Sequence, residues 1–475
     1  MDTAEKLAVR DELDTGLTWR IAEFAVRTRT QDIPREVIEC AKRSQLDTLG
    51  VTIGGVAMDE APEILARLAR QQAGAPDSTV IGMGFQTSPS YAALVNGTAG
   101  DVIGFSDVVP ETMNHPSASI CAAVWALGEK VGSSGRDVLA SHAIGLEIAE
   151  KFGHGIRPAF QRKGWEPRGV QNTFGAAAAC ARLLGLDVNQ TANALGICGA
   201  EASGMRAVKG TMSKAYIAGM AARNGIEAAI LASLGYTGPI NVFEARDGVL
   251  QTFGEGASAE GIAERLGQPW EFLEPGVTYK AFPLCTCTHT SIEATLALKR
   301  DHGISARDVA SITCATTPGA SDWLPFSAPE NKFQAKYSIQ FAVAMALLED
   351  GVTVSAVTDD KVREPEVVAL IKKISKTILP EYADQGYTPS HAPYGCEVSI
   401  TLNDGTTHVL RRDRSSWEAA TPPSWEALAD KFRGCAAPIL SDGDVESLIG
   451  RIAELDKAEN LFDVMRLAAG SGGRL

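Results

Sequence analysis

His115–Gly132, HPSASICAAVWALGEKVG, reads as a single helix entering a protein interior. Pro116 has the fixed φ that suits a first helical position, where its missing N–H costs nothing. The residues behind it, through the apolar run 120–127, suit a helix buried on all sides. The helix leaves a polar loop, Gly104–Asn114, GFSDVVPETMN, with Asn114 or His115 as its N-cap. His115 then stands at the positive end of the helix dipole, where its pKa is expected to fall and an anion is welcome. A neutral imidazole beside bound carboxylates exchanges a proton near pH 7. Asp107 and Glu111 share the loop and orient or oppose the ring. The plain alternative is a histidine that only caps its helix.

Outward from this stretch the patterning stays helical. Helices are predicted over 18–27, over 35–49 between Pro34 and Gly50, over 60–72, and over 88–97 with Ser88 as cap and Gly97 as stop. An apolar stretch at 78–84 is short enough to be extended. Further helices are predicted over 137–152, 171–185, 188–202 and 215–234, with GWEPRG, 164–169, as a loop. Nothing before residue 275 alternates with period two, so this part reads as all-helical. From Pro275 the character changes. Segments 309–316, 397–402 and 406–411 read as strands, the last two joined by Asn403-Asp404-Gly405. Helices at 338–348 and 364–376 lie between them. From Ser424 the chain is helical again, through 431–436 and 442–468. That tail has no core of its own and is expected to pack back on the first domain. The final residues, SGGRL, are expected to fray.

At 475 residues the chain is too long for one ordinary core. Its net charge of -14 argues against nucleic acid and against an anionic membrane surface as partners. An anionic substrate therefore needs a locally basic pocket. The nine cysteines lack framework spacing, which reads as reduced thiols in a cytosolic protein. The opening residues, MDTAEKLAVRDELDTG, are charged and carry no apolar core, so no signal peptide is expected. No stretch reads as a membrane span.

Several familiar motifs are missing: G-x-G-x-x-G after a strand, the P-loop, H-E-x-x-H and the G-x-S-x-G elbow. Cys285, Cys287 and His289 form C-x-C-x-H, which is too few ligands for a metal without a second pair nearby. Arg206, Lys209 and Lys214 make one stretch basic in an acidic chain, the plain reading being a solvated face. Lys280 lies at the predicted domain boundary and matters if its loop faces the crevice between domains.

The chain resembles the MmgE/PrpD family nearly end to end. The resemblance is carried by IPREVIECAKRSQLDTLGVTIGG (33–55), AALVNGTAGD (92–101), HPSAS (115–119) and FGAAAACARLLGLD (174–187). It continues through GIEAAILASLGYTGP (225–239), YKAFPLCTCTH (279–289), AKYSIQFAVAMALLEDG (335–351) and PSWEALADKFRGC (423–435). It implies a mainly α fold, with a large helical domain built from 1–274 and 413–475. It also implies an inserted α+β lid over 275–412, a homodimer, and a site free of metal and cofactor. Carried over by position, Asp107, His115, Lys214 and Lys280 are the catalytic candidates. Glu166, Arg168, Arg206, Lys209, Cys285, His289 and Tyr337 are candidates for holding a substrate.

This chain departs from the family pattern in four places. It has Gly104-Phe105-Ser106-Asp107 where members commonly show D-F-D-D. It has Gly164-Trp165-Glu166-Pro167-Arg168 where they show G-F-H-P-T. Phe341 stands for a tyrosine, and Cys285 for a histidine, of the decarboxylase-like members. These departures count most against decarboxylation. The expected activity is that of a cytoplasmic lyase removing water from a small hydroxy-polycarboxylate, in the manner of 2-methylcitrate dehydratase. The alternatives are an epimerase of a dicarboxylate such as iminodisuccinate, a cis-aconitate decarboxylase-like enzyme, and a non-catalytic dimer that binds a small acid.

Overall fold

The computed structural model describes residues 16–470 apart from 158, 256, 350 and 385–391. The readings of the charged N-terminus and of SGGRL fall outside those residues. The architecture is mainly α-helical, as the patterning predicts. Helices α1 (Leu17–Arg27), α2 (Arg35–Met58) and α3 (Ala61–Gln71) come first. The stretch read as extended forms a small antiparallel hairpin, β1 (Ser78–Val80) with β2 (Phe85–Thr87). It is the one exception to an all-helical first half among the labelled elements. Then come α4 (Pro89–Val102), α5 (Pro116–Val131), α6 (Gly135–Ile156), α7 (Pro167–Leu183), α8 (Val188–Glu201) and α9 (Ser213–Ser233). Helix α5 is buried from Pro116 to Glu129, as its composition requires. Local signals set several helix starts: Ser134 accepts the N–H of Asp137, and Asp187 with Gln190 closes a capping box.

Two glycines expected to stop helices do not. Helix α2 runs on past Gly50, and α4 past Gly97. Both positions are glycine because another chain segment lies against them. A Cβ on Gly50 would stand 2.9 Å from the Phe432 ring, and one on Gly97 2.9 Å from the Cα of Gly219. Helix α7 begins at Pro167, so the GWEPRG loop ends earlier than predicted, and Arg168 sits in a first helical turn.

The later part holds α10 (His289–His302), β3 (Val309–Thr316), α11 (Ile339–Leu348), α12 (Pro365–Ile371), β4 (Ile374–Ile378), β5 (Cys396–Leu402) and β6 (Thr407–Arg412). The strands form one sheet in the order β4-β3-β5-β6, with β4 parallel to β3 and the other pairs antiparallel. The single helix predicted over 364–376 is overturned: it ends at Ile371, and 374–378 is a strand. The segment alternates Ile374, Lys376, Ile378 and completes its backbone hydrogen bonds against β3. Helix α10, which the patterning left unassigned, packs on α11 and on β5 and β6. The tail forms α13 (Trp425–Ala436), α14 (Asp442–Ala453) and α15 (Phe462–Ala468), broken where a continuous helix was predicted.

Apolar side chains gather in a large cluster drawn from 17–279 and 428–468 and in a smaller one drawn mainly from 284–400. Met113, from the loop ahead of α5, belongs to the smaller cluster. Helix α13 lies along α2, where the Lys431 ammonium meets the buried Asp47 carboxylate at 2.6 Å. The same ammonium donates to the carbonyls of Phe105 and Lys280, at 2.9 and 3.1 Å.

Candidate active site

Helix α4 ends in Asp101-Val102, and this end organises the site. An acidic residue in a last helical turn opposes the helix dipole and calls for cations. Asp101 has them: Lys214 Nζ lies 2.6 Å and Arg168 Nε 3.2 Å from its carboxylate. Burial opposes its charge, yet the two cations hold its pKa down at about 2. Two more lysines close on the same helix end. Lys336 donates to the Val102 carbonyl at 2.5 Å and Lys280 to that of Gly104 at 2.8 Å. Burial is the largest cause that lowers their pKa values, to about 8 for Lys336 and about 7 for Lys280.

The loop from Gly104 to His115 crosses this helix end. Gly104 and Met113 both adopt left-handed backbone, at φ 71° and 60°. The second is costly for a side chain of that size. A buried polar network pins the end of the loop. Thr112 and Asn114 donate to Glu150 of α6, at 2.5 and 2.7 Å. Asn172 of α7 donates to the His115 carbonyl at 3.0 Å, and Asn114 accepts the His115 N–H at 2.9 Å. His115 occupies the N-cap position of α5, but its side chain caps nothing. The Asp107 carboxylate takes that task, accepting the Ser117 N–H and hydroxyl at 3.3 and 2.5 Å. Asp107 is fully buried, and burial pushes its pKa up to about 7. The His115 imidazole is held well below its ordinary value, chiefly by burial and then by Arg168, Lys280 and Lys214. The fall expected from the helix dipole therefore has a different main cause. Nδ1 lies 3.2 Å from Ser106 Oγ.

His115, Arg168, Lys280, Lys336, Cys285 and Tyr337, with Gly104, Met113 and Trp323, line one narrow cavity. About 20 Å³ of it is open to a sphere the size of water, room for a single water molecule. Five of the sequence candidates meet there: His115, Arg168, Lys280, Cys285 and Tyr337. The others stand around it. Lys214 lies behind, on Asp101. Glu166 precedes α7 and pairs with Arg168. Arg206 and Lys209 both lie over the Trp323 ring, at 4.3 and 4.0 Å, and Arg206 also pairs with Asp322 at 2.7 Å. His289 opens α10, buried edge-on to Phe282 at 5.3 Å, and burial lowers its pKa to about 3. The Cys285 thiol is the more acidic of the two free thiols, through a hydrogen bond with Cys287 and the nearby Lys280 and Lys209. Among the described residues no three His, Cys, Asp or Glu side chains could share a metal ion, and no helix is long and apolar enough to cross a membrane.

Family models match both parts of the chain: the MmgE/PrpD N-terminal domain over residues 19–261 and the MmgE/PrpD C-terminal domain over 282–456. The chain belongs to the MmgE/PrpD family. Among MmgE/PrpD proteins it is 30% identical to cis-aconitate decarboxylase of Mus musculus over 446 residues, covering 91% of this chain and 89% of that enzyme. The Homo sapiens cis-aconitate decarboxylase is also 30% identical, over 91% of this chain and 90% of its own. The mitochondrial 2-methylcitrate dehydratase of Yarrowia lipolytica is 25% identical over 87% of this chain and 82% of its own length. Sequence reasoning missed three residues at or around this cavity: Asp101, Ser106 and Lys336. The first was hidden because the helix was predicted to stop at Gly97, four residues short of it, whereas it runs on to Val102. Lys336 stood beside the candidate Tyr337, with nothing to mark it until α4 supplied its carbonyl partner.

Proposed function

We propose that the chain is a lyase that removes water from a small hydroxy-polycarboxylate, by taking a proton from the carbon beside a carboxylate. The carrying observation is the cavity itself: a neutral histidine ring faces a space walled by Lys280, Lys336 and Arg168. Carboxylates entering that space would keep both lysines charged. His115 takes the proton. Lys280 and Lys336 hold the enediolate-like charge that results, fixed in place and away from bulk water. Lys280, whose pKa is lowered to about 7, then has a proton to hand to the departing hydroxyl. Asp107 and Lys214 act from behind, one fixing the helix that presents His115, the other sustaining Asp101.

A space for one water does not admit a polycarboxylate, so the cavity must open. In this proposal residues 275–412 act as the lid, and Trp323 parts from Arg206 and Lys209 when the lid lifts. The homodimer expected from the sequence belongs to the same reading and is checked by sedimentation velocity.

Decarboxylation of cis-aconitate is the second reading, favoured by the 30% identity to enzymes of that name. Against it stand Cys285 in the cavity wall and Glu166, which draws on the Arg168 charge. Incubation with candidate acids in D2O, followed by NMR, separates the readings. An unsaturated product with its full carboxylate count supports dehydration, and loss of carbon dioxide supports decarboxylation. Deuterium uptake without loss of water indicates epimerisation. Silence with every acid, alongside measurable binding, would leave a binder.

A further inference from the structure

We propose that Ser106 is a positioning residue that links the Asp101 carboxylate to His115, fixing the imidazole as its Nδ1–H tautomer and leaving Nε2 as the basic nitrogen. This rests on reading His115 as the proton-transfer group. Ser106 is fully buried between the two, its Oγ 3.3 Å from Asp101 Oδ1 and 3.2 Å from His115 Nδ1. A hydroxyl has one proton to give and lone pairs to receive another. Asp101, gripped by Arg168 and Lys214, stays ionised and can only accept. The Ser106 proton therefore goes to Asp101, and its lone pair is what remains for Nδ1. Two acceptors facing each other in a buried place would be the alternative, and that arrangement is costly. The Ser106 backbone also favours a proton on the ring. Nε2 makes no hydrogen bond among the described residues, and the ring lines the cavity.

The arrangement also shapes the charge that His115 passes through. At rest Arg168, Lys280 and Lys214 oppose its protonation. Once the ring has taken a proton from the substrate, Asp101 stabilises it through the serine hydroxyl.

The test needs no substrate. The chain is labelled with 15N-histidine, and long-range proton–nitrogen spectra assign the His115 ring by difference against His115→Gln. The expected result is an N–H at Nδ1 and an unprotonated Nε2, with Ser106→Ala releasing a population protonated at Nε2. With an active acid in hand, Ser106→Ala should lower kcat roughly ten- to a hundredfold, with KM little changed. An Nε2–H ring in the unmodified chain overturns the proposal, as does a Ser106→Ala spectrum identical to it. The Nδ1–H ring found in a chain that transforms no acid upholds the proposal and overturns the lyase reading.

Discussion

His115 serves a proton transfer only while its ring is neutral at rest, and burial among three cations provides that. His115→Gln keeps the volume and removes the titration. Turnover should drop on the order of a hundredfold or more, with the melting temperature little changed. A variant as fast as the unmodified enzyme would take His115 out of the mechanism. Asp107 supplies a second expectation. Its folded pKa of about 7 lies above the ordinary carboxylate value. Between about pH 4 and 7 the folded chain keeps a proton that the unfolded chain has lost, so stability falls as pH rises through this window. Asp107→Asn removes that slope while its amide oxygen still caps α5. Melting at pH 5 and pH 8 should show the variant gaining on the unmodified chain by a few kcal/mol at most. An unchanged difference at the two values would show that Asp107 is ionised throughout. The candidate site was legible for residues whose own neighbours betray them, such as His115 before Pro116. It was not legible for Ser106 or Lys336, whose importance lies in partners brought by other helices.

Close approach decides how α9 meets α4 and how α7 meets α6. A Cβ on Gly219 would lie 2.1 Å from the Leu94 carbonyl oxygen, and one on Gly175 2.5 Å from that of Gly145. Gly219→Val should therefore cost at least about 1–3 kcal/mol, by forcing α9 off α4. Gly450, exposed in α14 with nothing within 4 Å of its Cβ position, is the control. Gly450→Ala should be neutral or gain about 1 kcal/mol. Chemical denaturation of both variants checks the pair, and a Gly219→Val chain as stable as its parent would mean that the helices separate freely. The same glycines explain where the fold was legible. Helix existence followed from apolar patterning. Helix ends did not, because an interior glycine facing another backbone looks, in one dimension, like a stop. Strand β4 was hidden for a related reason: its pairing with β3 lies some sixty residues away in the chain.

At the scale of the whole molecule, the Trp323 ring, which lines the cavity, is one of the places where its two parts meet. Trp323 belongs to the part that carries the sheet, while Arg206 and Lys209 belong to the helical part, and both cations lie on its ring. Trp323→Ala should leave the cavity open for a larger fraction of the time. Cys285, in the cavity wall, reports this without any substrate. Its alkylation by iodoacetamide, followed peptide by peptide, should quicken several-fold in the variant. Cys40, half-buried on α2, should react at its former rate. Equal Cys285 rates in the two proteins would place the entrance elsewhere.

Lys431 ties together pieces of chain that a ribosome delivers far apart in time. Asp47 emerges early, while Lys431 arrives on the order of 20–80 s later at common rates of synthesis. Throughout that interval the surface of α2 over Gly50 is bare of Phe432, and the Asp47 carboxyl has no ammonium beside it. Every cavity-lining residue has by then been made. The carbonyls of Phe105 and Lys280 still await the donor that fixes them. The nascent chain thus carries every residue of the cavity wall before α13 arrives to hold the Phe105 and Lys280 carbonyls in order.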